Sequence, residues 1–116
     1  SQMMWIAGDS LFVISENGNL ICIRREDGSI RWLTKLPHKI EENLVSFQKF
    51  IVHYGPIVAS ERVYLVSSDN MLRIYNAENG KLIDKIKFSN GFSTPPIIIN
   101  SKLFLVNDNA KLYAFE

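Results

Sequence analysis

An internal repeat constrains this 116-residue chain more than any other feature. Asp9-Ser10-Leu11-Phe12-Val13-Ile14 lies over Glu61-Arg62-Val63-Tyr64-Leu65-Val66 at an offset of 52, and the match runs without a gap through Leu20 and Leu72. It continues as Arg25-Glu26-Asp27-Gly28-Ser29-Ile30 over Ala77-Glu78-Asn79-Gly80-Lys81-Leu82. A third copy follows at an offset of 40, from Ser101-Lys102-Leu103-Phe104 to Lys111-Leu112-Tyr113-Ala114-Phe115. Gly55-Pro56-Ile57-Val58 aligns with Pro95-Pro96-Ile97-Ile98 at that same offset. A recurring unit of this length marks one supersecondary element that buries its apolar face only by stacking on its neighbours.

Each copy divides into strand-length pieces rich in β-branched and aromatic residues. The first strands are Met4–Ala7, Ile57–Ala59 and Ile97–Ile99; the second are Leu11–Ser15, Val63–Ser67 and Leu103–Val106. The third are Leu20–Arg24, Leu72–Asn76 and Lys111–Phe115, and the fourth are Ile30–Leu33 and Leu82–Phe88. Asp27-Gly28 and Asn79-Gly80 mark hairpins, because both residue types tolerate positive φ. The inner strands read as apolar runs rather than clean alternation, which suits sheets covered on both faces. The spacing of 40 is that of a four-stranded propeller blade. The prediction is an all-β, partial β-propeller of about three antiparallel blades, the last lacking its outer strand. Its parts are a blade over 1–36, an insert over 37–50, a blade over 51–90 and an incomplete blade over 91–116.

Charge gives little direction. Thirteen Lys and Arg face twelve Asp and Glu, and the two halves are balanced, so no basic patch supports nucleic-acid binding. No apolar run approaches the ~20 residues that span a bilayer. Cys22 is the single cysteine, which excludes an internal disulfide and a cysteine-rich zinc site. Its setting, Leu20-Ile21-Cys22-Ile23, predicts a buried thiol. No signal peptide opens the chain, so either the protein is not exported or this sequence begins downstream of its own N-terminus.

The chain shows no reaction chemistry at this level. His38 and His53 form no metal-binding pair, and His53 reads as a hydrogen-bonded structural residue. No Gly-x-Ser-x-Gly and no phosphate-cradling loop occur. Asp69-Asn70 and Asn107-Asp108-Asn109 lack the carboxylate density of a calcium loop and read as turns. Glu41-Glu42 reads as a solvated pair. No catalytic residue, cofactor or metal is expected.

The pattern from Tyr54-Gly55-Pro56-Ile57-Val58 to Leu72-Arg73-Ile74-Tyr75-Asn76-Ala77-Glu78-Asn79-Gly80 resembles the PQQ-like propeller repeat. Trp32 stands where that repeat places its outer-strand tryptophan, whereas copy two has Asp84 or a neighbour there. More narrowly, this stretch resembles the last full blade of the BamB family of outer-membrane assembly lipoproteins. Gly91-Phe92-Ser93-Thr94-Pro95-Pro96-Ile97, followed by Asn109-Ala110-Lys111-Leu112-Tyr113-Ala114-Phe115, resembles that family's C-terminal end. The resemblance implies an eight-bladed periplasmic ring, held to the outer membrane by an N-terminal lipid that this chain does not contain. It implies a non-enzymatic scaffold that binds the barrel-inserting subunit and aids insertion of outer-membrane proteins. Two rivals stand beside it: a cytoplasmic regulatory or ligand-sensing propeller and a quinone-dependent dehydrogenase. The dehydrogenases that share the repeat use adjacent cysteines and a calcium-binding acid set; this segment has one cysteine.

Blade geometry sends first-to-second and third-to-fourth turns to one rim. Second-to-third turns and blade-to-blade links go to the other. The second rim receives the irregular insert 37–50, which accounts for the longer first offset. Ile40, Leu44 and Phe47 recur at helical spacing, which suggests a short helix. Phe47 and Phe50 are the candidate partner contacts, since loops on a rigid scaffold often carry binding. A strand count of four, four and three fits a C-terminal segment whose missing strand comes from the far N-terminus. Such a segment alone should expose apolar flanks and an open edge and should self-associate or swap strands.

Overall fold

A computed structural model of the chain describes residues 3–37, 39–40, 49–89, 91–92, 96–100 and 102–115. Three antiparallel sheets of four, four and three strands follow one another, with a small two-stranded ladder between the first two. Blade 1 is β1 (Met3–Ala7), β2 (Ser10–Ile14), β3 (Asn19–Arg24) and β4 (Ile30–Lys35). The ladder is β5 (Lys39–Ile40) with β6 (Lys49–Phe50). Blade 2 is β7 (His53–Ala59), β8 (Arg62–Ser67), β9 (Met71–Asn76) and β10 (Leu82–Lys87). Blade 3 is β11 (Ile97–Ile99), β12 (Lys102–Val106) and β13 (Leu112–Phe115). Every strand expected for the blades is present, and each blade is a meander.

The repeat extends to irregularities. Register shifts between Cys22 and Ile23 opposite Trp32 and Ile30, which bulges Arg31. It shifts again between Leu82 and Asp84 opposite Tyr75 and Ile74, which bulges Ile83 at the equivalent place. One extra residue re-aims the outer strand and increases its local twist.

Alternation along the central strands feeds two seams. Val63 and Leu65 on β8, with Tyr75 on β9, pack against Phe12, Leu20, Cys22 and Leu36. The opposite faces of the same strands carry Val66, Leu72 and Ile74, which pack against Leu103, Leu105 and Phe92. Val63, Leu65 and Val66 are completely buried. Full burial of side chains of this size stabilises by about 1.5–3 kcal/mol each. Cys22 lies in the first seam as a free thiol, and burial pushes its pKa up. Trp5, on the innermost strand, touches both apolar clusters.

The first seam is also latched by polar bonds. Trp32 Nε1 donates to Ala77 O at 2.9 Å, and Thr34 Oγ1 donates to Gly80 O at 2.6 Å. Gly80 has φ +77°, and a Cβ there would enter the Trp32 ring and lie 2.6 Å from Thr34 Oγ1. Glycine is therefore required twice, by conformation and by space. The second seam is closed by aromatic packing, with Phe88 5.0 Å from Phe92 and 4.9 Å from Tyr113, centroid to centroid.

Candidate functional site: the insert base on one rim

The first rim is built by the repeat. Arg25 N donates to Asp9 O at 2.9 Å, and Ala77 N donates to Glu61 O at 3.0 Å, so the β3–β4 turn is tied to the β1–β2 turn and the β9–β10 turn to the β7–β8 turn. Inside those turns Ser29 N bonds Asp27 Oδ1 at 3.0 Å, and Lys81 N bonds Asn79 Oδ1 at 2.9 Å. The Ser29 hydroxyl and amide hold the Asp27 carboxyl below its ordinary pKa. Between blades 1 and 2 this rim opens a groove of about 870 Å³, lined by Asp9, Arg31, Glu61, Arg62, Glu78 and Ile83 among others. Arg31 donates to Ser10 Oγ at 2.7 Å and pairs with Asp9 at 3.2 Å. With side chains 38% and 79% exposed, that pair contributes little.

The second rim begins from an equally regular frame. Its tight turns bond Gly18 N to Ser15 O, Asn70 N to Ser67 O and Ala110 N to Asn107 O, at 3.0 to 3.1 Å. The outgoing links bond back, Leu36 N to Gly18 O and Phe88 N to Asn70 O. Onto this frame blade 2 adds polar groups that the other copies lack. His53 Nδ1 lies 2.6 Å from Ser67 Oγ, and His53 Nε2 lies 2.9 Å from Pro37 O. A carbonyl accepts only, so Nε2 carries the proton, and Nδ1 accepts from the serine hydroxyl. Burial, with the nearby Arg73 cation, pushes the His53 pKa down, against the Pro37 hydrogen bond and the Asp69 charge. The imidazole is held neutral as a strut between blade 2 and the start of the insert.

Arg73 and Asp69 sit beside it. Nη1 donates to Oδ1 at 3.2 Å and Nη2 to Oδ2 at 2.5 Å, with side chains 8% and 15% exposed. A buried guanidinium needs such a bidentate partner, since an unpaired charge there is costly. Ser68 closes the far side of the insert: Val52 N donates to Ser68 Oγ at 2.8 Å, and Ser68 N to Val52 O at 2.9 Å. A cleft of about 520 Å³ opens here among Pro37, Ile51, Ser68, Asp69, Arg73 and Lys87.

The insert leaves and returns at one place. Lys39 pairs with Phe50 and Ile40 with Lys49. The expectation of helical spacing from Ile40 is corrected at its ends, which form an antiparallel stem because the chain must reverse onto itself. Leu44 lies outside the described residues. Phe47, the first candidate contact, lies outside them as well. Phe50, the second, stands in β6 at the stem, directly above the His53 anchor in sequence. His53 is hydrogen-bonded as expected. Sequence reasoning missed the Arg73–Asp69 pair. Its signal was available in the repeat, where Arg73 replaces Ile21 of copy one.

The adjacency of Ser67 and His53 does not make a nucleophile. Ser67 is completely buried, and the second ring nitrogen is occupied by a backbone carbonyl. Among the described residues no group of three or more His, Cys, Asp or Glu is placed to hold a metal ion. What this rim presents is a rigid, hydrogen-bonded socket at the base of the insert, where its two-stranded stem begins and ends.

Comparison with known proteins agrees with this architecture. The family model described as outer membrane protein assembly factor BamB matches residues 2–83. The crystal structure of BamB from Moraxella catarrhalis superposes with a TM-score of 0.67 at 12% identity, covering 92% of this chain and 30% of that one. The computationally designed Ika4 protein superposes with a TM-score of 0.68 at 9% identity, over 97% of this chain and 62% of that one. A europium-containing methanol dehydrogenase gives a TM-score of 0.65 at 12% identity, over 97% and 24%. At such identities these likenesses establish the fold. The chain spans about a third or less of the BamB and dehydrogenase structures. No curated protein sequence matches it.

Proposed function

From the premise that this chain belongs to the outer membrane protein assembly factor BamB family, we propose that it is a docking segment of a scaffold serving outer-membrane β-barrel assembly. The observation that carries the reading is the family match over residues 2–83 on a chain folded into stacked propeller blades. The scaffold acts at the periplasmic face of the outer membrane and binds the barrel-inserting subunit, without catalysis of its own. Its mechanism is presentation: packed seams fix the blades, and the fixed blades fix the loops. The insert rim is the docking surface, with Phe47 and Phe50 as contacts.

The test is capture of the barrel-inserting subunit by the intact protein that contains this segment, with and without residues 40–49. Deletion is expected to weaken capture roughly tenfold or more, the scale of losing an aromatic hot spot. Unchanged capture removes the insert from the interface. Absence of capture by the intact protein removes the scaffold reading.

The likeness to a methanol dehydrogenase supports a second reading, part of a quinone-dependent enzyme. Quinone binding with substrate-dependent dye reduction by the intact protein would carry it. The scaffold reading is preferred because the family match concerns the assembly factor.

A further inference from the structure

The repeat supplies an internal standard for the first rim. On blade 1 two arginines tie that rim together. Arg25 Nη1 donates to Gly8 O at 2.8 Å. Arg31, the bulged residue of β4, donates to Ser10 Oγ at 2.7 Å and lies 3.2 Å from Asp9 Oδ1. At the offset of 52, Arg25 becomes Ala77 and Arg31 becomes Ile83, the bulged residue of β10. The acids persist, with Glu61 in place of Asp9 and Glu78 in place of Glu26. Arg62 stands where blade 1 has Ser10. Blade 2 has thus kept the carboxylates and lost both of these guanidinium groups. Among the described residues, Glu61, Arg62 and Glu78 make no ion pair.

The two replacements open the groove of about 870 Å³ between blades 1 and 2, since Ala77 and Ile83 both line it. Both walls come from four-stranded blades that this chain contains in full. The blade 1 wall is balanced, because Arg31 and Asp9 pair there. The blade 2 wall sets the carboxylates of Glu61 and Glu78 against the single guanidinium of Arg62, an excess of negative charge. Ile83, 45% exposed, adds an apolar side chain beside those charges. What is missing from this wall, by the standard of blade 1, is a guanidinium. We propose that the groove binds a basic, arginine-bearing peptide segment of a partner, whose guanidinium groups meet Glu61 and Glu78 as Arg31 meets Asp9 on blade 1. A guanidinium suits a carboxylate because its fork offers two parallel N–H donors. In an extended segment, arginines at every second position share one face. The site lies on the rim opposite the insert base, and it stands or falls separately from the docking proposed there.

Fluorescence anisotropy with the intact protein that contains this segment tests the proposal, using the labelled peptides Arg-Ile-Arg-Ile-Arg and Glu-Ile-Glu-Ile-Glu. The arginine peptide is expected to bind, and the glutamate peptide to bind far more weakly. Two variants locate the binding. Glu61→Gln/Glu78→Gln, at exposed positions, is expected to weaken the arginine peptide roughly tenfold or more, the scale of losing charge-assisted hydrogen bonds. Ala77→Arg/Ile83→Arg restores the arginines of blade 1 and is expected to abolish binding by filling the groove from within. Circular dichroism confirms that both variants are folded. An arginine peptide that does not bind the intact protein overturns the proposal. So does binding that either folded variant leaves unchanged. Equal or tighter binding of the glutamate peptide also overturns it, and would assign the groove to Arg62 and an acidic partner.

Discussion

The two rims differ in how much of them the repeat explains. On the first, both complete blades use the same bonds at the same positions, Arg25 to Asp9 and Ala77 to Glu61. On the second, the frame repeats, but blade 2 carries His53, Asp69 and Arg73, which have no counterpart in blade 1. Those three surround the place where the insert leaves the blade. Residues that recur in each copy serve stacking. Residues that break the recurrence and still take a half-buried to buried, hydrogen-bonded geometry serve what is particular to that blade, here the anchoring of the insert's base.

The largest effect is expected on the repeating rim. Gly80→Ala places a methyl group inside the Trp32 ring, at a positive φ, and should cost about 4 kcal/mol. Gly28→Ala, at the equivalent turn with φ +75° and no neighbour within 4 Å, should cost only about 1 kcal/mol. Urea denaturation of the pair separates the space requirement from the conformational one; equal costs would show that Trp32 does not latch the seam. Next comes the insert rim. Asp69→Ala leaves Arg73 buried without its partner and should cost about 3 kcal/mol, with Asp69→Ala/Arg73→Leu recovering most of it. No recovery in the double variant would mean that the pair is not the structural unit.

A smaller effect follows from His53. Its folded pKa lies below the ordinary 6.5, so between the two values the unfolded chain binds more protons. Stability is full above pH ~6.5 and declines as pH falls toward the folded value. His53→Gln should flatten that decline in pH-dependent unfolding, and an unchanged profile would place the titration elsewhere. The smallest effect is at the third tight turn, where Ala110 holds φ +62° at the position of Gly18 and Asn70. Ala110→Gly should raise stability by about 0.5 kcal/mol, the relief of a left-handed alanine less the added chain entropy. A loss would show that this turn is not strained.

The blades were legible because strand composition, turn residues and the repeat all point to one answer. The hairpins at Asp27-Gly28 and Asn79-Gly80 fell where φ is positive at Gly28 and Gly80. The start of β7 was less legible. Its strand begins at His53 rather than Ile57, because an irregularity between Tyr54 and Ile57 lets pairing continue past Gly55-Pro56. The insert stem could not be read at all: two-residue strands have no periodicity, and their pairing is set where the chain is gripped at Pro37 and Ser68. Asp69 was read as turn chemistry because a turn explains an aspartate fully. Its second role depends on Arg73 reaching back across the hairpin, a contact that only the fold supplies.

In the proposed function the insert rim, and not the repeating rim, is the docking face. Amide hydrogen exchange of the intact protein, free and bound to the barrel-inserting subunit, tests it most directly. Slowed exchange is expected at residues 39–40, 49–53 and 67–70, with no change at 8–10, 25–29 and 60–62. Slowed exchange confined to the second set, with the insert base unaffected, would contradict it.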